Sequence, residues 1–198
     1  MVENTEVVSS SEPDSDKHTL VAFFSWAYNA EEFDPDDYDV DATGQASVYA
    51  PGDVGIIAHY IEERVPSDEF IITQDYQYSA DYNICIVEHH DQRDRGEIPE
   101  LTAHIENLED YDTIFLGFPN WNYGLPMAIR AFVNDHDLSG KTIIPFVCHG
   151  TGGLANTITQ LNEIVPEDCT ILQEYHVYEN DVNDAEADVN AWLSELGY

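Results

Sequence analysis

Short runs of consecutive apolar residues alternate along this chain with stretches where apolar positions recur every three or four residues. Runs of the first kind are Leu20-Val21-Ala22-Phe23-Phe24, Phe70-Ile71-Ile72, Ile114-Phe115-Leu116 and Ile143-Ile144-Pro145-Phe146-Val147. Being apolar at successive positions, they suit strands covered on both faces. A fifth strand is predicted from Cys169 to Gln173, with extension through Val177, and Pro145 should make the fourth irregular or place it near an edge. Helical spacing appears in Ile56, Ile57, Tyr60 and Ile61, which predicts a helix from Gly52 to Arg64 ended by Pro66. Further helices are predicted over 81–94, where the apolar face is weak, from Met127 to Asn134 and from Leu154 to Ile164. A terminal helix is expected over 181–196, with Val182, Ala185, Val189, Trp192 and Leu193 as its buried stripe. Asp181 or a neighbouring Asp or Asn can supply its N-cap. Strand and helix alternate without an internal repeat. That predicts one doubly wound α/β domain over 19–198, a parallel sheet with helices on both faces.

The pattern breaks most abruptly at residues 113–126, where an apolar strand runs into Pro119-Asn120-Trp121-Asn122-Tyr123-Gly124-Leu125-Pro126. Pro119 cannot donate to a ladder, so the strand should stop there. Trp121 and Tyr123 either present flat rings to a ligand or cap the core. Two other loops follow predicted strands. One starts at Ser25 and runs to Pro51 without periodicity, and the other is Cys148-His149-Gly150-Thr151-Gly152-Gly153. In alternating α/β topology all three lie on the same sheet edge, where ligands bind. They offer a hydroxyl and a helix N-terminus for an anion, aromatic planes, and backbone that can approach closely because glycine has no side chain. Together they match a planar heterocycle carrying a phosphate.

A chain of 198 residues with 43% apolar content can bury one full core. Forty acidic residues against six basic give a net charge of −34. Such a surface repels nucleic acid and anionic lipid, which argues against either as a main partner. It suits solvation in a salty environment or steering towards basic partner proteins. The acids are spread along the chain, which favours solvation. Cys85, Cys148 and Cys169 are an odd number without metal-like spacing, so a reduced, cytoplasmic setting is expected. No stretch has the length of a membrane span. Residues 1–18 read as a disordered acidic tail, and their Ser-rich character also fits a spacer left after removal of an anchor from an exported protein.

The stretch Asn107-Leu108-Glu109-Asp110-Tyr111-Asp112-Thr113-Ile114-Phe115-Leu116-Gly117-Phe118-Pro119-Asn120-Trp121, together with Ser139-Gly140-Lys141-Thr142-Ile143-Ile144-Pro145-Phe146, resembles the flavodoxin-like family of bacterial and archaeal FMN proteins. The resemblance runs from about Leu20 to Leu196. It implies a five-stranded sheet of order 2-1-3-4-5 with FMN held among Ser25, Ala27, Gly52, Asp53, Val54, Pro119, Asn120, Trp121, Asn122, Tyr123, Cys148, His149, Gly152 and Gly153. The long loop after the first strand looks like an insertion ahead of the phosphate residues, so that Gly52-Asp53-Val54 stands where the family has Gly-Asn-Thr. Val54 lacks the hydroxyl for phosphate, and Asp53 adds a negative charge beside an anion. Trp121 fits the flavin-contacting position, Asn122 replaces a second aromatic residue, and Cys148 stands where a hydroxyl is common. The implied function is an FMN-dependent redox protein that serves a partner protein or reduces a small acceptor such as a quinone. The competing reading is a module that has lost FMN and binds another ligand or a partner.

Three other groupings have plainer explanations. His89-His90 with Asp91 reads as a solvated helix end rather than a metal site. Cys148 and His149 are adjacent on a strand and point to opposite faces, so they do not form a nucleophile pair, although His149 can bond the flavin or its substrate. The run from Asp34 to Asp41 is acidic enough for Ca²⁺, yet Pro35 and the missing Gly and Glu break the loop pattern.

Overall fold

The computed structural model describes residues 18–37 and 44–198. Strands β1 (His18–Phe24), β2 (Asp68–Ile72), β3 (Tyr111–Pro119), β4 (Thr142–His149), β5 (Thr170–Ile171) and β6 (Tyr175–Tyr178) form one parallel sheet of order β2-β1-β3-β4-β5, with β6 also paired to β4. Helices α1 (Gly52–Glu62), α2 (Tyr82–Arg95), α3 (Met127–Asp135), α4 (Thr157–Ile164) and α5 (Glu186–Leu196) cover it. His18 belongs to β1, and the rest of the expected acidic tail, residues 1–17, lies outside the described residues. So do residues 38–41 of the acidic run that begins at Asp34.

The two-residue period of a strand sorts the apolar runs into two cores. Leu20, Ala22 and Phe24 of β1 and Ile114, Leu116 and Phe118 of β3 join Ala128, Ile129 and Phe132 of α3 and Leu161 of α4 on one face. Val21, Phe23, Phe115, Ile144 and Phe146 join Val54, Ile57 and Ile61 of α1 and Val189, Trp192 and Leu193 of α5 on the other. Phe115 has no exposed surface; burying such a ring contributes about 2–3 kcal/mol. Gly117 permits a close approach inside this layer, because a Cβ there would fall 2.2 Å from the Phe146 ring and 2.8 Å from Phe23 Cβ.

The last strand is interrupted, and Pro145 supplies the reason. β4 pairs with β5 at Thr142 and Ile143 and with β6 from Phe146 to His149. The Ile143 carbonyl accepts from Leu172 on that side. Pro145, two residues on, therefore turns its hydrogen-free nitrogen towards the same neighbour, and the ladder opens there. The expected Cys169–Val177 strand is thus two short pieces. Nor is the terminal helix capped by Asp181: a 3-10 stretch, Glu179–Asp184, precedes it, and Ala185 occupies the N-cap without a side-chain bond. The expected stripe is nevertheless buried. α4 begins at Thr157 rather than Leu154, its first residues being taken up by turns. Lys141 is buried between β3 and β4, where its Nζ donates to the carbonyls of Leu108 and Tyr111 at 2.8 and 2.6 Å.

Candidate functional site

A cleft of about 280 Å³ opens where β1, β3, β4 and β6 end, lined among others by Ser25, Trp121, His149 and Glu179. The sheet order reverses between β1 and β3, which makes this the topological switch point. Of the residues expected at a site, Ser25, Asp53, Val54, Pro119, Asn120, Trp121, Asn122, Tyr123, Cys148, His149 and Gly152 line the cleft. Ala27, Gly52 and Gly153 do not. Gly52 instead supports the wall: its φ is +73°, and a Cβ would lie 2.3 Å from Ser25 Oγ and 3.3 Å from Ala27 Cβ. Gly153 offers its carbonyl to Asn120 Nδ2.

The aromatic loop is a tight turn. Trp121 and Gly124 exchange backbone hydrogen bonds of 3.1 and 3.0 Å, leaving Asn122 and Tyr123 as central residues with φ of 51° and 65°. Two positive φ values define the turn that matches strand twist, and Tyr there carries strain of about 1 kcal/mol. Neighbouring elements hold this conformation. Arg93 donates to the Asn122 carbonyl at 2.9 Å, Asn122 Nδ2 reaches the Ile86 carbonyl at 3.2 Å and His89 Nδ1 at 2.9 Å, and Gln160 Oε1 accepts from Leu125 N at 2.9 Å. Trp121 packs edge-on against Tyr78, His89 and Phe24 with ring centres 5.0, 5.2 and 5.3 Å apart. Its indole is both cleft wall and core cap. Tyr123 is 66% exposed at the mouth.

His89 corrects the sequence reading. Rather than lying on a solvated helix end, it is 1% exposed beneath Trp121, while His90 is exposed and bonded to Arg93. Burial, then the charges of Arg93 and His90, push its pKa down to about 4, so the ring is neutral at ordinary pH. Since Nδ1 accepts from Asn122, the proton resides on Nε2; the Leu125 backbone lies near enough to favour the charged ring slightly, yet Nε2 has no partner of hydrogen-bond geometry. A sequence signal for this existed. Cys85, His89 and Gln92 recur at helical spacing and form the buried stripe of α2; the stripe is polar, which is why the apolar face looked weak. Asn120 Oδ1 is likewise buried without a partner, its orientation fixed by Nδ2 donating to Gly153. Two unanswered polar atoms beside one cleft are unusual in a native interior.

The wall opposite comes from the long loop. Trp26 is buried and donates to the Ser79 carbonyl at 3.2 Å. Gln45 bonds the Ala80 carbonyl at 2.7 Å and the Tyr82 amide at 3.0 Å, which brings Gly44 and Ser47 against the cleft. Sequence reasoning missed Gly44, Ser47, Tyr82, Ile86 and Glu179 as lining, because only tertiary contact places them there.

At the amino end of α1 the cleft is acidic. Ser25 Oγ donates to the Pro51 carbonyl at 3.0 Å, and α1 starts without a side-chain cap. Asp53 lies in its first turn. Burial, then Glu179, raise the Asp53 carboxyl to about 6. Glu179 is itself raised by burial, with His149 opposing. No Lys or Arg lines the cleft among the described residues. Cys148 is a buried thiol pushed well up by burial and by Asp53, so it is no ready nucleophile. His149 has both nitrogens engaged, Nδ1 with the Gly150 carbonyl at 2.9 Å and Nε2 with His176 at 3.1 Å, which leaves none for the flavin or substrate bond expected of it. Among the described residues, no group of three or more His, Cys, Asp or Glu is placed to hold a metal ion.

A parallel sheet of this order, with its cleft at the switch point between the first and third strands, defines a flavodoxin-like fold. The sequence matches the family model described as Flavodoxin over residues 59–196, and the chain belongs to the flavodoxin family. That match begins within α1, after Ser25 and Gly52-Asp53-Val54. No curated protein matches. Among solved structures, a candidate flavoprotein from Bacteroides eggerthii DSM 20697 is similar at 24% identity, with a TM-score of 0.67 over 91% of this chain and 98% of that one. The Lactobacillus acidophilus NCFM flavoprotein in complex with FMN is similar at 16% identity and a TM-score of 0.57, over 86% of this chain and 99% of that one. At such identities the likeness concerns the fold. Among the described residues, no helix is long and apolar enough to cross a membrane.

Proposed function

We propose that the cleft holds FMN and that the protein is a flavin-dependent redox protein, transferring electrons to a partner protein or reducing a small acceptor such as a quinone. The observation that carries this is the aromatic turn at the switch point: a rigid indole wall next to the buried, unanswered Asn120 Oδ1. Family membership and the FMN named for the Lactobacillus relative support the same reading. The ring end of a flavin fits these residues, since Trp121 gives a plane and Asn120 an acceptor for a ring N–H. When bound, the flavin supplies the electron chemistry, and the protein contributes orientation and electrostatics. Trp121 and Tyr123 would flank the ring, and the first-turn N–H groups of α1 would meet the phosphate. Trp26, Gly44 and Ser47 would limit water on the far side, and such a wall over the site favours reduction of a small acceptor over simple carriage. Asp53 and Glu179 disfavour added negative charge, which fits a low reduction potential.

The same two carboxylates favour a second reading, a family member that has given up FMN for another ligand or a partner. Absorbance of the purified protein in the flavin bands, followed by FMN titration at high and low salt, separates the two. Flavin absorbance or saturable FMN binding is expected. A colourless protein that binds no FMN at either salt leaves the second reading. Steady NAD(P)H oxidation with a quinone, lost without FMN, would then identify a reductase.

A further inference from the structure

The two ends of the cleft differ in what they ask of a ligand. At the ring end His89 Nε2 is buried beyond nine-tenths and has no partner of hydrogen-bond geometry, which leaves an N–H there for a polar acceptor. At the other end Asp53 stands in the first turn of α1, facing Glu179 from the segment after β6. Both carboxylates line the cleft, and no Lys or Arg among the described residues does. The Glu179 carboxylate also lies against Gly150, about where a Cβ on that glycine would touch it, so it flanks the third loop. A phosphate dianion brought to the N-terminus of α1 would therefore meet two negative charges beside the partial positive charge of the helix end.

We infer that Asp53 and Glu179 are specificity-determining residues that set this cleft against a phosphate dianion, so that it takes the uncharged flavin, riboflavin, at least as tightly as FMN. The inference rests on the flavin reading and deepens it. It assigns the ring and its hydroxylated side chain as what the cleft recognises, with the phosphate tolerated rather than sought. Asp53→Asn keeps the shape of the side chain while removing one charge, and Glu179→Gln does the same for its acidic neighbour.

The test is titration of the full chain, and of each variant separately, with riboflavin and with FMN, followed by quenching of flavin fluorescence. It is run at one ionic strength and at pH 8, above the raised Asp53 value of about 6. The parent should bind riboflavin as tightly as FMN or more tightly. Each substitution should tighten FMN by about tenfold and leave riboflavin within about twofold. A parent that prefers FMN by more than about tenfold, or a ratio of the two affinities that neither substitution moves, overturns the inference while leaving the flavin reading intact. Binding of neither flavin by the parent overturns both.

Discussion

Replacing Trp121 by Ala tests the site and the fold together, because the indole belongs to both. Its three edge-on ring contacts, at 5.0, 5.2 and 5.3 Å, are each worth about 0.5–1.5 kcal/mol beyond buried area. Truncating a fully buried Trp costs about 3–5 kcal/mol, and a half-buried one with these contacts falls at the lower end, about 3 kcal/mol. Loss of the plane should also weaken FMN by about tenfold or somewhat more. Stability would be read from denaturant unfolding without ligand, and binding from FMN titration under conditions where the variant is fully folded. Indole fluorescence provides an internal control. Trp26 also lines the cleft and should be quenched with Trp121, whereas Trp192 lies on the buried face of α5, donating to the Gln173 carbonyl at 3.0 Å. Unfolding within about 0.5 kcal/mol of the parent would refute the claim that these contacts hold the turn. An unchanged FMN affinity would remove the aromatic wall as a flavin platform.

His89 should make the fold acid-sensitive. Its pKa is about 4 folded against an ordinary 6.5. The unfolded chain therefore takes up a proton that the folded one refuses, and stability falls by up to about 3 kcal/mol as pH drops from 6.5 to 4. His89→Gln should flatten that part of the stability–pH curve relative to the parent, and a parallel curve would count against a buried neutral ring. Gly117→Ala should destabilise by about 2–3 kcal/mol, because the added methyl meets the Phe146 ring and the Phe23 Cβ within one tight layer; a neutral effect in thermal unfolding would show that the layer repacks freely. Tyr123→Gly should stabilise the turn by about 1 kcal/mol, since Asn-Gly suits two positive φ values, while weakening FMN. Lower stability with unchanged binding would reverse both assignments.

The fold was legible because its signals are local. Three successive apolar residues at Ile114-Phe115-Leu116 need cover on two faces, and one parallel sheet between two helix layers provides it. Pro145 announced an irregularity through its missing N–H, although only the register shows that the break falls in the neighbouring strand. The cleft was legible where it is made of strand-end loops, as at Asn120 to Tyr123 and Gly152. It was illegible where it depends on packing. His89 looked solvated because its neighbours His90 and Asp91 are polar, and burial on one face of a helix made of Cys85, His89 and Gln92 carries no apolar signature. The acidity of Asp53 was visible in sequence, but its companion Glu179 is 126 residues away (179 − 53) and meets it only through the sheet. The N-cap at Asp181 failed for a related reason, because a 3-10 stretch can occupy the residues that composition alone assigns to a cap.

Lys141 is one of only two lysines in the chain, and its amine lies inside, held by two carbonyls. Acylating reagents aimed at side-chain amines should therefore spare it in the native protein. Burial thereby turns this amine into a reporter: its acylation should wait for the chain to open, and the mass added at Lys141 would record unfolding directly.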